Sequence, residues 1–117
     1  MIKFEIFTKP LSVNQCYGTS QTGRIYMTAV GKKYKQGIII SLKQLQLSPL
    51  QGDIRVSIEL KLGRRRKMDI DNCLKPLLDS LEGYIYENDS QIVDLRITKQ
   101  FDFAEDRICI SADNIDV

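Results

Sequence analysis

From Ile54 to Gly83 the apolar residues change period once, and that change limits what the chain can become. Ile54, Val56, Ile58, Leu60 and Leu62 alternate with Arg55, Ser57, Glu59 and Lys61, which predicts a strand with one face in a core. Leu74, Leu77, Leu78 and Leu81 then recur at i, i+3, i+4 and i+7, the stripe of an amphipathic helix, with Gly83 placed to stop it. Proline is tolerated in a helix's first turn, so Pro76 sets the expected start near Asn72 or Cys73. Asp69 and Asp71 then sit just outside the N-terminus, where partial positive charge favours anions. Between strand and helix runs Arg64-Arg65-Arg66-Lys67-Met68-Asp69-Ile70-Asp71-Asn72, four cations followed by two carboxylates.

The rest of the chain reads as a scaffold for this junction. Ile2, Phe4 and Ile6 alternate with Lys3 and Glu5 as a half-buried strand, ended by Thr8-Lys9-Pro10. Residues 11–23 read as a polar loop; its Asn14, Gln15 and Tyr17 can reach a phosphate or sugar, but ordinary loop polarity is the reading favoured for them. Arg24 to Met27 is a short strand, and Thr28 an N-cap. From Ala29 to Leu47 the set Val30, Tyr34, Ile38, Leu42 and Leu45 has helical spacing, with Lys32, Lys33, Lys35 and Lys43 on other faces. After a turn at 48–52 and the central strand and helix, residues 84–90 form a loop carrying Glu87, Asn88 and Asp89. Ile92 to Phe101 and Arg107 to Ser111 are the last strands. The order β, β, α, β, α, β, β predicts an α+β fold in a single domain spanning 1–117, one mixed β-sheet with two main helices packed against it.

Composition narrows the chemistry. The chain of 117 residues has no histidine, so histidine-based acid–base catalysis and imidazole metal ligation are both excluded. Hydrolytic chemistry would fall to carboxylates, lysine, water and metal. Cys16, Cys73 and Cys109 are odd in number and widely spaced, which fits reduced, partly buried thiols better than a disulfide framework or a zinc site. No signal peptide is visible and no apolar run approaches the length of a membrane span, so a cytoplasmic protein with no membrane partner is expected. The net charge of +2 hides a division: cations gather at 61–67, while acids dominate 79–94 and 102–116.

Asp69 and Asp71 flank one residue, and in an extended segment such positions point the same way. Two carboxylates so close repel unless something positive lies between them. Surface arginine pairs contribute only about 0–1 kcal/mol each, whereas a hard divalent ion with oxygen ligands is a stronger partner, and magnesium uses few carboxylates plus water and phosphate. Asp89 would complete the set if its loop folds back over the helix N-terminus. Lys75 and Asp79 are i, i+4 neighbours on the helix, with Asp71 over the same side. In this reading a metal polarises a phosphodiester, Lys75 balances charge or orients water, and Arg64, Arg65, Arg66 and Lys67 grip flanking phosphates. The residues also allow a plainer arrangement, a basic hairpin tip followed by a helix capped by Asp71 or Asn72, in a module that binds nucleic acid without cutting it.

The run from Arg64 to Leu81, with its basic-run–Asp-x-Asp-Asn-x-x-Lys-x-x-x-Asp order, resembles the central motif of the RusA-type Holliday-junction resolvases. Asp89-Ser90-Gln91-Ile92-Val93-Asp94 resembles that family's second acidic motif, and Pro10-Leu11-Ser12-Val13-Asn14 with Gly31-Lys32-Lys33-Tyr34 its N-terminal region. The resemblance implies a small homodimeric endonuclease of DNA recombination and repair. It would use magnesium, with manganese able to substitute, to place paired, symmetry-related nicks in four-way junctions. It places the catalytic and metal-binding carboxylates on Asp69, Asp71 and Asp89, the essential lysine on Lys75, a DNA-facing role on Asn72 and a supporting one on Asp79. Some members have an acid where this chain has Asn88, and members are often carried by phages and prophages. A four-way junction has two strands to cut about a two-fold axis, so two copies of one acidic cluster also argue for a dimer. A broader flap or branched-DNA nuclease is the alternative within the enzyme class.

Overall fold

The computed structural model describes residues 1–65 and 68–115. Its elements are β1 (Ile2–Ile6), α1 (Val13–Cys16), β2 (Tyr17–Thr19), β3 (Ile25–Met27), α2 (Ala29–Gln44), β4 (Ile54–Lys61), α3 (Ile70–Leu81), β5 (Ile92–Gln100) and β6 (Arg107–Asn114), with one 3-10 turn at Asp89–Gln91. Four strands form a sheet in the order β1-β6-β4-β5. β4 and β5 are parallel, and the other pairs are antiparallel. The sheet is therefore mixed, and α3 lies in the crossover between its two parallel strands.

Alternation decides which side carries the helices. Ile54, Val56, Ile58 and Leu60 are buried together with Ile108, Ile110 and Ala112 of β6 and Phe4 and Ile6 of β1. The other sheet face carries Arg55, Glu59, Arg107 and Glu5, linked in pairs such as Arg55–Asp94 (3.3 Å) and Arg107–Glu5 (3.5 Å). That solvated face leaves one layer of helices. Against the apolar face, α2 buries Tyr34, Ile38 and Leu42, and α3 buries Cys73, Leu77 and Leu81. In β5 the register slips between Ile54 and Arg55 so that Val93 is the extra residue, and it is 57% exposed. The three thiols are free, as their spacing implied.

Three expectations change. Residues 11–23 are not a plain loop: Ser12 caps α1 with a reciprocal capping box, and the chain continues into β2, which pairs with β3 as a separate two-stranded ribbon. The molecule thus has a sheet and a ribbon rather than a single sheet. α2 stops at Gln44, and both Val30 and Leu45 are exposed, so the buried stripe is narrower than the pattern suggested. α3 starts at Ile70, which puts Pro76 inside the helix and Asp71 within its first turn. An interior proline removes one helical bond, here the one to the Asn72 carbonyl, at a typical cost of about 3 kcal/mol. Asn72 is exposed to water and Pro76 is itself buried against the core, which offsets that loss.

α1 is held onto α2 by a close approach that sets up the site. Thr28 caps α2 by accepting from the Gly31 N–H (3.0 Å), and its hydroxyl donates to the Gln15 carbonyl (2.6 Å). A Cβ on Gly31 would collide with the Cys16 carbonyl oxygen and lie 2.8 Å from Cys16 Sγ, whereas a Cβ on Gly37 of the same helix meets nothing within 4 Å. Gly→Ala in a helix interior normally stabilises by about 1 kcal/mol. At Gly31 the clash is with backbone, and overpacking costs about 1–3 kcal/mol, so the sign reverses. Thermal denaturation is expected to show Gly31→Ala lowering the melting temperature by several degrees and Gly37→Ala raising it. A rise at both positions would show that α1 is not fixed by this contact.

Candidate active site

Asp69 holds the N-cap position of α3 with extended backbone (φ −72°, ψ 133°), yet its side chain makes no capping hydrogen bond. A residue of the type that caps helices stands where a cap belongs, and its carboxylate is left for something else. Asp71 follows in the first turn, and Asp69, Asp71 and Asn72 are all exposed. The helix N-terminus favours negative charge at both positions. Capping by Asp71 or Asn72 does not occur, because the helix begins before them.

The two carboxylates share their surroundings with a lysine from the sheet. Lys99 stands opposite Leu60 on the helix-facing side of β5, and its Nζ donates to the Met68 carbonyl at 2.6 Å. This ties the residue before Asp69 to the edge strand. Burial pushes the Cys73 thiol up, Lys99 pulls it down, and Asp71 and Asp69 push it up again.

One turn beyond Asp71, Lys75 is exposed, and its Nζ donates to Asp79 Oδ2 at 3.2 Å. The same oxygen accepts from the Tyr17 hydroxyl at 2.6 Å. The Lys75 ammonium also lies 5.3 Å from the centroid of the Tyr17 ring. Burial, then the hydrogen bond to Asp79 and that carboxylate's charge, push the Tyr17 phenol far above its ordinary range, so it stays protonated and donates. Asp79 and Tyr17 together hold the lysine along the outer face of α3.

Asp89 lies elsewhere. It opens the 3-10 turn, and its N–H donates to Glu82 Oε1 at 3.1 Å, where Glu82 is the C-cap of α3. At about 1.5 Å of rise per residue, positions 69 and 82 stand roughly 20 Å apart along the helix. Asp89 does not fold back over the N-terminus, because Gln91 pins its segment to the turn at 50–52 through the Leu50 and Gly52 carbonyls (both 2.9 Å). Among the described residues no group of three acidic or cysteine side chains is placed to hold one metal ion. Asn88 caps the turn by accepting from the Ser90 N–H at 2.9 Å.

Of the basic run, Arg64 and Arg65 are exposed beyond β4, and the Arg65 guanidinium stacks 4.5 Å from the Phe101 ring centroid. The run starts from an anchored point, since the Gly63 N–H donates to Asp106 Oδ1 at 2.9 Å. Arg66 and Lys67 lie outside the described residues.

Two residues escaped the sequence reading. Lys99 had a local signal, a cation in phase with Leu95 and with Ile97, which packs against the core. Tyr17 had a weaker one, the alternation Tyr17-Gly18-Thr19 facing Ile25-Tyr26-Met27 across a turn. Its partner Asp79 is 62 residues away, and nothing local announces that bond.

An α+β chain with paired carboxylates at a helix start and a lysine one turn on has the parts of a phosphodiester hydrolase, and comparison with known proteins agrees. Residues 8–111 match the family model described as Endodeoxyribonuclease RusA, and the chain belongs to that family of nucleases, enzymes of the hydrolase class. It is 30% identical to the crossover junction endodeoxyribonuclease RusA of Escherichia coli K12, over 74% of this chain and 73% of that one. The enterobacteria phage 82 protein of the same description is also 30% identical over the same shares. An uncharacterized Bacillus subtilis protein, YqaN, is 26% identical over 84% of this chain and 86% of its own.

Proposed function

We propose that this chain is a magnesium-dependent, structure-selective endonuclease that resolves four-way DNA junctions by paired symmetric nicks, working as a homodimer. Family membership supports the reaction class. Within the chain, the observation that carries the reading is the Asp69 carboxylate, exposed at the N-cap of α3 and unused by the helix.

The separation of Asp89 from Asp69 and Asp71 supports a composite site. The pair lies at one end of α3 and Asp89 beside the other. Two copies of α3 packed antiparallel about a two-fold axis would bring each pair opposite Asp89 of the partner subunit. The helix surface suits this: Asp71, Leu74, Leu78 and Glu82 follow one another at helical spacing on one side, and Leu74 and Leu78 are only partly buried. Such a dimer holds two equivalent sites of three carboxylates, as a substrate with two symmetric scissile phosphates requires.

The donor set is all carboxylate oxygen, which fits a hard ion such as magnesium, with manganese able to replace it. Asp69, Asp71 and the partner's Asp89 would hold the ion, which would supply Lewis-acid polarisation of the scissile phosphate. The chain's own groups do the rest. Lys75 presents its ammonium to the charge that builds on the phosphoryl oxygens, and Asp79 with Tyr17 keeps it in place. Lys99 fixes the backbone leading into Asp69. Arg64, Arg65, Arg66 and Lys67 contact flanking phosphates, and Asn72 faces the DNA beside the acids. With no histidine in the chain, proton transfer falls to water and carboxylate.

The direct test incubates the protein with synthetic four-way, flap and linear duplex DNA, with and without magnesium. Cleavage of the four-way junction alone, at symmetric positions and only with the ion, is expected. Equal cutting of flaps would favour the broader branched-DNA nuclease, and binding without cleavage would favour a non-catalytic module. A cytoplasmic site of action and a prophage origin would suit this role.

A further inference from the structure

Between the β2–β3 ribbon and α3 lies a groove of about 210 Å³, lined by Val13, Asn14, Tyr17, Thr19, Ile25 and Lys75 among others. We infer that this groove is a subsite for one unstacked nucleotide next to the scissile phosphate, and that it is a source of selectivity for branched DNA. The inference rests on the nuclease reading and specifies which part of the substrate that site takes.

Ribbon alternation builds the groove. Tyr17 pairs with Met27 and Thr19 with Ile25 on one face, and Gly18 pairs with Tyr26 on the other. A Cβ on Gly18 would lie 2.7 Å from the Tyr26 ring, so glycine there lets the tyrosine lie flat across the back of the ribbon and stiffen it. The front face then projects Ile25, which is 77% exposed. On the same face Tyr17 and Met27 pack against the core, whereas Ile25, nearer the ribbon's turn, does not reach it. It stands instead over the groove opposite α1.

The lining chemistry selects the occupant. Val13 and Ile25 offer apolar walls, suited to the faces of a base. The Asn14 amide and the Thr19 hydroxyl, both on exposed residues, offer donors and acceptors to base edges or sugar. Lys75 closes one end with a cation, and that lysine is the group assigned above to the scissile phosphate. A nucleotide whose phosphate meets Lys75 has its base directed into this groove. The volume, below the roughly 300 Å³ of a typical small-molecule pocket, has room for one base, with its sugar and phosphate outside toward Lys75, and none for a duplex. A base stacked inside a continuous helix cannot enter, and unstacking costs less where helical stacking is interrupted, as at the strand exchange of an open branch point. The groove therefore rewards a branch and rejects a continuous helix.

The test uses four-way junctions lacking one base at a time at the nucleotides flanking the crossover, with affinity measured in the absence of metal. Ile25→Ala and Asn14→Ala change exposed positions and leave the core intact, and Ile40→Ala on α2 serves as a distant exposed control. Each groove variant is expected to weaken binding of the intact junction about tenfold, but no more than about twofold when the base at one particular flanking position is missing. Loss of equal size at every abasic position, or no loss on the intact junction, would overturn the subsite. Wild-type cleavage with magnesium is measured alongside. If it proceeds while the variants show no such coupling, the subsite alone fails; if the wild type neither binds nor cuts branched DNA, the nuclease reading fails and the subsite with it.

Discussion

Asp69→Asn is expected to abolish magnesium-dependent junction cleavage while junction affinity stays equal or rises. The substitution keeps the size and polarity of the side chain but removes the charge that binds the ion. The helix loses little, because Asp69 does not use its side chain to cap α3, and an asparagine caps as well as an aspartate. Losing the charge at the helix N-terminus should then cost no more than about 1 kcal/mol of stability. The rate should fall roughly a thousandfold or more, the scale seen when one member of a catalytic unit is removed, or about 4 kcal/mol of barrier. Affinity should not fall, because a carboxylate facing phosphate repels it. Quantitative cleavage and binding on the same junction separate the two effects. Loss of affinity in step with loss of cleavage would make Asp69 a structural residue.

Asp89→Asn should be as damaging as Asp69→Asn, despite roughly 20 Å along α3 between the two positions in one chain. Its backbone N–H still bonds to Glu82, and the turn stays capped by Asn88. The 3-10 turn is expected to survive, and the loss then belongs to the carboxylate. A site contained in one chain gives no reason for this result, since there Asp89 is remote from the other acids. A composite site requires it. Near-normal cleavage by Asp89→Asn would remove this residue from the chemistry and leave Asp69 and Asp71 as the only carboxylates in place.

How far the sequence could be read depended on the range of the interactions involved. Strand β4 and helix α3 were legible because burial imposes its period locally: every second residue from Ile54 to Leu60 is buried, and Leu77 and Leu81 of the leucine stripe are buried with it. The motif residues were legible for the same reason, since Asp69 to Asp79 occupy one helix and its cap. Pro76 misled the start of α3, because proline's local penalty was offset by burial, a term absent from local sequence. Residues 11–23 misled because a four-residue helix and three-residue strands give too few repeats to stand out from a loop. The position of Asp89 could not be read at all. It follows from Gln91 bonding to the carbonyls of Leu50 and Gly52, about forty positions back. A carboxylate's spacing in sequence gave its identity as a candidate ligand and no information on which end of α3 it would meet.

Whether each site draws Asp69 and Asp71 from one subunit and Asp89 from the other is tested most directly by subunit mixing. Asp69→Asn and Asp89→Asn proteins, each inactive alone, are co-purified as a heterodimer through two different tags and given a four-way junction with magnesium. In a composite arrangement one site of the heterodimer carries both substitutions and the other carries none, so nicking of one strand per junction is expected to return. If the three carboxylates belonged to a single chain, both sites of that heterodimer would carry one substitution, and a verified heterodimer that stays inactive would contradict the account.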